Sequence, residues 1–250
     1  MQGGPRAPRS KATATLLAVF FLAAFVCFML LGHWQVQRRA WKLDLIERVE
    51  QRVHAAPVAA PGLAGWTDLG AAGQEYRHVL VSGVFQHDKE ALVQAVTVKG
   101  SGFWVLTPLK LADGSSVLVN RGFVPPEARA LAAHGGASPK GETVITGLLR
   151  LSEPGGGFLR KNDAAADRWY SRDVQAIAAA RGVVQAAPYF IDADGGDFAA
   201  PELPVGGLTV VSFPNSHLSY ALTWYGMALL TVVGAVIWWR EELRARRRQG

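Results

Sequence analysis

Pro214-Asn215-Ser216-His217-Leu218-Ser219-Tyr220-Ala221-Leu222-Thr223-Trp224-Tyr225 is where a polar chain turns into an apolar helix. A proline and two residues suited to an N-cap, Asn215 and Ser216, stand just ahead of the helix, and His217 falls in its first turn. In a helix, side chains three, four and seven apart share a face, so His217, Tyr220 or Ala221, and Trp224 line up. From Leu218 the run stays apolar to Trp239, about the length that crosses a hydrocarbon core. Tyr220, Trp224 and Tyr225 mark one end and Trp238 and Trp239 the other, as aromatic belts do at the two faces of a bilayer. A histidine backed by aromatic rings at a membrane rim is a candidate site.

A matching run lies near the other end of the chain. Thr13 to Leu31 is uninterrupted apolar or small residues. It follows a basic start, as a signal peptide would. It is long for such a segment, though, no small-x-small cleavage site comes after it, and Trp34 and a polar helical pattern follow instead. The reading is two transmembrane helices around one outer domain: a tail over 1–11, a span over 12–33, a β-rich domain over 34–216, a second span over 217–239 and a basic tail over 240–250. Arg6, Arg9 and Lys11 at one end, and Arg240, Arg244, Arg246, Arg247 and Arg248 at the other, put both termini in the cytoplasm by the positive-inside rule. Arg38, Arg39 and Lys42 flank the first span on its far side. A long loop is translocated largely regardless of such charge, and acids (Asp192, Asp194, Asp197, Glu202) precede the second span. The expectation is a two-pass protein of a cell inner membrane with a periplasmic central domain; in a mitochondrion that domain would face the intermembrane space.

Of the 250 residues, 50% are hydrophobic and 18% charged, with a net charge of +6. Such a balance points to nucleic acid or to anionic lipid. The distribution favours the lipid bilayer as partner: basic residues crowd the ends, none occurs between Arg181 and Arg240, and no basic stripe is interleaved with aromatics, so nucleic-acid binding is excluded. The single cysteine, Cys27, sits inside the first apolar run. It offers neither a disulfide framework nor a Cys-x-x-Cys metal or redox pair.

The middle of the chain opens with Trp34, Trp41, Leu45, Val49 and Val53 at helical spacing, so the first helix continues beyond the span to about Val53. Residues 55–65, rich in Ala, Pro and Gly, read as a loop. Strands are expected over Tyr76–Phe85, Ala91–Val98, Phe103–Leu111, Ser116–Phe123, Thr143–Leu151, Tyr189–Asp192 and Leu208–Phe213. Asp113-Gly114 marks a hairpin into Ser116–Phe123. A helix over Ser171–Arg181 is expected to have Ser171 as its cap and Gly182 as its stop. The class is α+β, with a mostly antiparallel sheet or small barrel outside the membrane.

No signature of a hydrolase, a phosphate-binding loop or a zinc protease occurs, and His33, His54, His78, His87, His134 and His217 are scattered. Asp192 and Asp194 read as a solvated, Gly-rich turn. Asn120-Arg121-Gly122-Phe123-Val124-Pro125 ends a strand with turn chemistry; Arg121 is either structural or an anion binder. Trp34, Arg38 and Trp41 put ring, guanidinium and ring on one helical face. Arg38 there either stacks on tryptophan or clamps a carboxylate with its forked donors. His217 is either an interfacial anchor or an axial ligand to haem iron, a role that neutral imidazole fills. Trp224 could wall a planar ligand against the facing helix.

Taken together, Leu31-Gly32-x-Trp34-Gln35-x-x-Arg38-x-x-Trp41-Lys42, Glu75-Tyr76-Arg77, Gly83-x-Phe85-x-His87-x-x-Glu90, Asn120 to Pro125, Trp169-Tyr170-Ser171-Arg172-Asp173, Ala187 to Asp192 and Asn215 to Tyr225 resemble the Surfeit locus protein one (Shy) family of cytochrome c oxidase assembly factors. The style of the sequence is most similar to α-proteobacterial members. The resemblance implies a non-enzymatic role in binding or handing over haem a while oxidase subunit I matures, alongside haem a synthesis or assembly proteins. The alternative is an assembly scaffold with no direct haem ligation. In the haem reading His217 holds the iron, Trp224 and Tyr220 wall the ring, Arg38 or Arg121 meets the propionates, and Trp34 is a further candidate for the haem site.

Overall fold

The computed structural model describes residues 9–69, 73–129, 141–157, 159–195, 203–209, 211 and 213–248. Most of the N-terminal tail, the last two residues, and Asp197 and Glu202 of the acidic flank lie outside that set. The chain divides into two units, a pair of terminal helices and a β domain over Arg48–Val211.

Helix α1 spans Lys11–Val53 without a break, so the apolar run and the amphipathic stretch after it form one element. The last helix of the chain spans His217–Arg247, so most of the basic tail is helical rather than a free extension. Both helices are long and apolar enough to cross a membrane. In the second helix two hydroxyls bond within the helix, as suits a lipid setting: Thr223 Oγ1 donates to the Ser219 carbonyl at 2.9 Å and Thr231 Oγ1 to that of Met227 at 2.8 Å. The two helices run antiparallel along small and aromatic residues. A Cβ on Gly32 would come within 2.7 Å of the Tyr225 ring, so glycine is what lets that ring approach. Phe28 stacks on Trp224 with centroids 5.9 Å apart, and Phe21 meets Trp238 at the same separation. Ala221 and Ala228 are buried on the same side of the second helix.

The β domain is a five-stranded barrel with two added strands. Its long strands are β2 (His78–Phe85), β3 (Ala91–Thr97), β4 (Gly100–Lys110), β5 (Ser116–Val124), β6 (Glu142–Leu151) and β9 (Ala186–Ala193). β2 pairs with β6, β6 with β9, β9 with β5 and β5 with β4. The ring closes where Val84 and Phe85 of β2 pair with Lys110 and Leu109 of β4. All barrel pairs are antiparallel except β5 with β9. β3 adds to the outer edge of β4, and β1 (Val58–Ala59) adds in parallel to β2. Part of the expected loop over 55–65 is therefore a strand, because the prolines that flank it keep the chain extended beside β2. Two short strands, β7 (Gly156–Gly157) and β8 (Arg160–Lys161), form a separate hairpin.

Alternation along the strands sets the layers. Val79, Val81, Phe85, Leu109, Val117, Val119, Ile145, Leu149, Tyr189 and Ile191 fill the barrel. On the outside, Leu106, Leu118 and Phe190 pack under Trp169 and helix α2 (Val174–Ala180) with Val174 and Ile177. β5 is thus buried on both faces along its whole length. The cap of α2 is Asp173, whose side chain accepts from Ala176 N, and not Ser171. Ser171 instead donates to the Glu153 carbonyl at 2.6 Å. The expected strand over Leu208–Phe213 is not seen among the described residues of that stretch; one residue pair upstream, Val205 and Phe123, bridges instead. The final helix is labelled α3 below.

A Cβ on Gly147 would lie 2.2 Å from the Asp192 carbonyl across the β6–β9 pair. Backbone cannot yield as a flexible side chain can, so Gly147→Ala is expected to destabilise the protein by about 1–3 kcal/mol. Denaturant unfolding in detergent, followed by tryptophan fluorescence, measures it; an unchanged midpoint contradicts the tight β6–β9 approach.

Candidate functional site

His217 begins α3, and three contacts hold it. Its backbone N–H donates to Asn215 Oδ1 at 3.4 Å, so Asn215, not Ser216, serves the helix start through its side chain. Lys42 Nζ donates to the carbonyl of Pro214 at 2.5 Å and ties the lead-in of α3 to α1. The imidazole Nδ1 meets Gln35 Oε1 at 2.8 Å. His217 Nε2 makes no hydrogen bond among the described residues. Gln35 is 8% exposed and stands seven residues after Phe28 and three after Gly32, on the side of α1 that meets α3.

The remaining expected site residues fall differently. Trp224 lies on the α1-facing side of α3, but the space between it and α1 holds the Phe28 ring. Trp34 and Tyr220 are each 54% exposed and point away from the helix contact; Ala221, not Tyr220, takes the buried place there. Arg38 is exposed with its guanidinium 4.0 Å from the Trp41 ring centroid, a cation–π pair that leaves its donors open to an anion. Among the described residues no group of three or more His, Cys, Asp or Glu is placed to hold a metal ion.

Arg121 belongs to the β domain. It follows Val117 and Val119 on the inward period of β5 and is 1% exposed. Its NH1 donates to Glu90 Oε2 at 2.9 Å, and Thr107 Oγ1 donates to the same oxygen at 2.7 Å. The Phe85 ring lies 5.6 Å from the guanidinium. Burial pushes the Glu90 carboxyl above the usual carboxylate range, against the opposing pull of Thr107 and Arg121. Its Oε1 is buried without a hydrogen bond among the described residues, which is why desolvation prevails. A second cluster lies on the outer face of the barrel. The Asp192 carboxylate accepts from Asn120 Nδ2 at 2.7 Å, from Arg150 NH1 at 3.0 Å and from Arg172 NH1 at 3.2 Å. Asp192 is therefore buried within β9, not part of a solvated turn; two guanidiniums and an amide replace its water. Arg172 also grips Glu153. Burial raises the Glu153 carboxyl, but the Arg172 hydrogen bond and charge outweigh it and hold the group below its ordinary value.

The SURF1 family model matches residues 22–229, which take in both the Gln35–His217 contact and the Arg121–Glu90 pair. The chain belongs to the SURF1 family. It is similar to Surfeit locus protein 1 of Mus musculus, 37% identical over 235 residues that cover 86% of this chain and 72% of that protein. The Homo sapiens protein of the same name is 37% identical over 236 residues, covering 86% and 73%. A SURF1-like protein of Drosophila melanogaster is 34% identical over 262 residues, covering 96% of this chain and 82% of its own.

In this SURF1 family chain, Gln35, Glu90 and Arg172 stand in the family-like motifs quoted above, yet none was expected to be a site residue. Gln35 carried a readable signal, because it stands seven residues after Phe28 and three after Gly32. Glu90 and Arg172 carried no signal beyond their places in those motifs, because only the tertiary fold brings the residue ahead of β3 to β5 and the segment ahead of α2 to β9.

Glu90→Ala leaves the buried Arg121 charge without its carboxylate and is expected to cost about 3–5 kcal/mol. Glu90→Leu combined with Arg121→Met removes both charges and is expected to recover most of that loss. Unfolding midpoints of the three proteins in detergent measure it; a single variant as stable as wild type contradicts a compensated pair.

Proposed function

We propose that this chain is a non-enzymatic membrane assembly factor for cytochrome c oxidase that binds haem a, or hands it over, as subunit I matures. The SURF1 family is known for oxidase assembly. What supports the haem reading in this chain is one observation: a histidine at the start of the second apolar helix, held through Nδ1, with Nε2 left without a hydrogen bond among the described residues. Imidazole held through one nitrogen presents the other to a metal. Haem a, when bound, would supply an iron for a nitrogen donor, propionates for a cationic partner and a farnesyl tail suited to lipid.

The residues present fit that cargo. His217 is the donor for the iron. Arg38 offers forked donors to a propionate, with Trp41 steadying its plane. Trp34 and Tyr220, exposed on the helix surfaces, offer apolar area at the rim. Trp224 acts indirectly, by packing on Phe28 and fixing the turn of α3 that carries His217. Arg121 is committed to Glu90 inside the barrel, and we assign it to holding the β domain together. A single protein donor suits a protein that must release what it binds. The setting we infer is a bacterial inner membrane of α-proteobacterial type, with both termini cytoplasmic, the β domain periplasmic, and oxidase subunit I and the haem a synthesis or assembly proteins as partners.

Wild type and His217→Ala, each purified in mild detergent from cells that make haem a, are expected to differ: haem absorption with the first, little or none with the second. Equal haem in both removes the ligand assignment and leaves the scaffold reading, in which oxidase assembly survives the substitution.

A further inference from the structure

Gln35 is an uneconomical choice for packing alone. Its amide is buried between two apolar helices, where an amide without a partner is costly and a leucine would pack without that penalty. Among the described residues its hydrogen bond is to one group, the His217 ring. With the amide oriented so that Oε1 faces Nδ1, the oxygen accepts and cannot donate, so Nδ1 carries the proton and the neutral ring keeps its free lone pair on Nε2. Neutral imidazole in water favours the opposite tautomer, so the contact selects a form that the ring would not mainly adopt. The backbone of the same residue is held separately, by Asn215 at its N–H and by Lys42 at the preceding Pro214 carbonyl. Position and tautomer are thus set by different side chains.

We propose that Gln35 is the positioning residue of His217: it fixes the ring as the Nδ1–H tautomer and so aims Nε2 as the single donor. This rests on the haem reading above only for its purpose; the tautomer itself is a property of the protein without ligand. The relation is the one commonly found behind metal-binding histidines, where the second nitrogen donates to a protein acceptor that orients the ring and raises its basicity. Gln35 does not touch the ligand. It acts through His217.

The experiment is 15N NMR of ring-labelled histidine in the full chain in detergent micelles, with the His217 signals assigned by their loss in His217→Ala. Wild type is expected to show His217 protonated at Nδ1 and bare at Nε2. Gln35→Leu is expected to lose that preference, and Gln35→Glu, which keeps an acceptor, to retain it. With haem a as probe, Gln35→Leu is expected to bind roughly 10–100-fold more weakly. Gln35→Glu is expected to keep binding and to shift the absorption of the bound haem, because a carboxylate makes the imidazole more basic. A proton on Nε2 in wild type, or an unchanged tautomer in Gln35→Leu, overturns the proposal. If haem binding is equal in wild type and His217→Ala while the tautomers behave as expected, the ligand reading fails and the positioning of the ring by Gln35 stands.

Discussion

The approach of Gly32 to the Tyr225 ring governs the helix pair. An aromatic ring lies where a Cβ would clash, so α1 and α3 meet along a line set by Phe21, Phe28 and Gly32. That line decides the rotation of α1. One residue along a helix turns the side chain by about 100°, at 3.6 residues per turn. With Phe28 and Gly32 on the contact, Gln35 falls on it too, and Trp34 does not. Which polar group His217 meets is therefore a consequence of where a glycine stands three residues earlier.

The β domain rests on a different constraint. A small barrel has an interior only wide enough for side chains, so a charge that enters it must bring its counter-charge. Arg121 and Glu90 enter together from neighbouring parts of the barrel, with Thr107 completing the carboxylate's bonds. On the outer face, Arg150 and Arg172 converge on Asp192 with Asn120, over the ring of Phe190, and bind the β5–β9–β6 region to the segment ahead of α2. Such pairs add little net stability compared with an apolar core, yet they are intolerant of losing one member. Arginines in this chain therefore do two kinds of work. Arg38 is exposed and stacked on Trp41, open to an anion, whereas Arg121 is neutralised and enclosed.

Much of this was legible in the chain itself. The apolar runs, the Asp113-Gly114 turn and the alternation of Val79, Val81 and Phe85 come from local rules of length, turn chemistry and period, and they hold in the structure. Where the reading failed, the deciding contact was distant. Val58–Ala59 became a strand because β2 offered it an edge. Asp192 looked like a turn residue beside Gly195 and Gly196, but pairing with β5 and β6 drew it into a buried strand. Ser171 had the chemistry of a cap, and the Glu153 carbonyl claimed its hydroxyl first.

The candidate site divides the same way. The sequence alone determined that a histidine opens the second apolar helix, that tryptophans and arginines crowd the rim of the first, and that no clustered ligand set competes with it in sequence. These are matters of composition and spacing, which each segment carries by itself. Only the tertiary structure decided that Gln35 is the partner of His217, that Phe28 fills the face of Trp224, and that Arg121 is enclosed with Glu90. Those depend on the rotation of one helix against another and on the closure of a barrel, and both are set by packing between residues far apart in the chain.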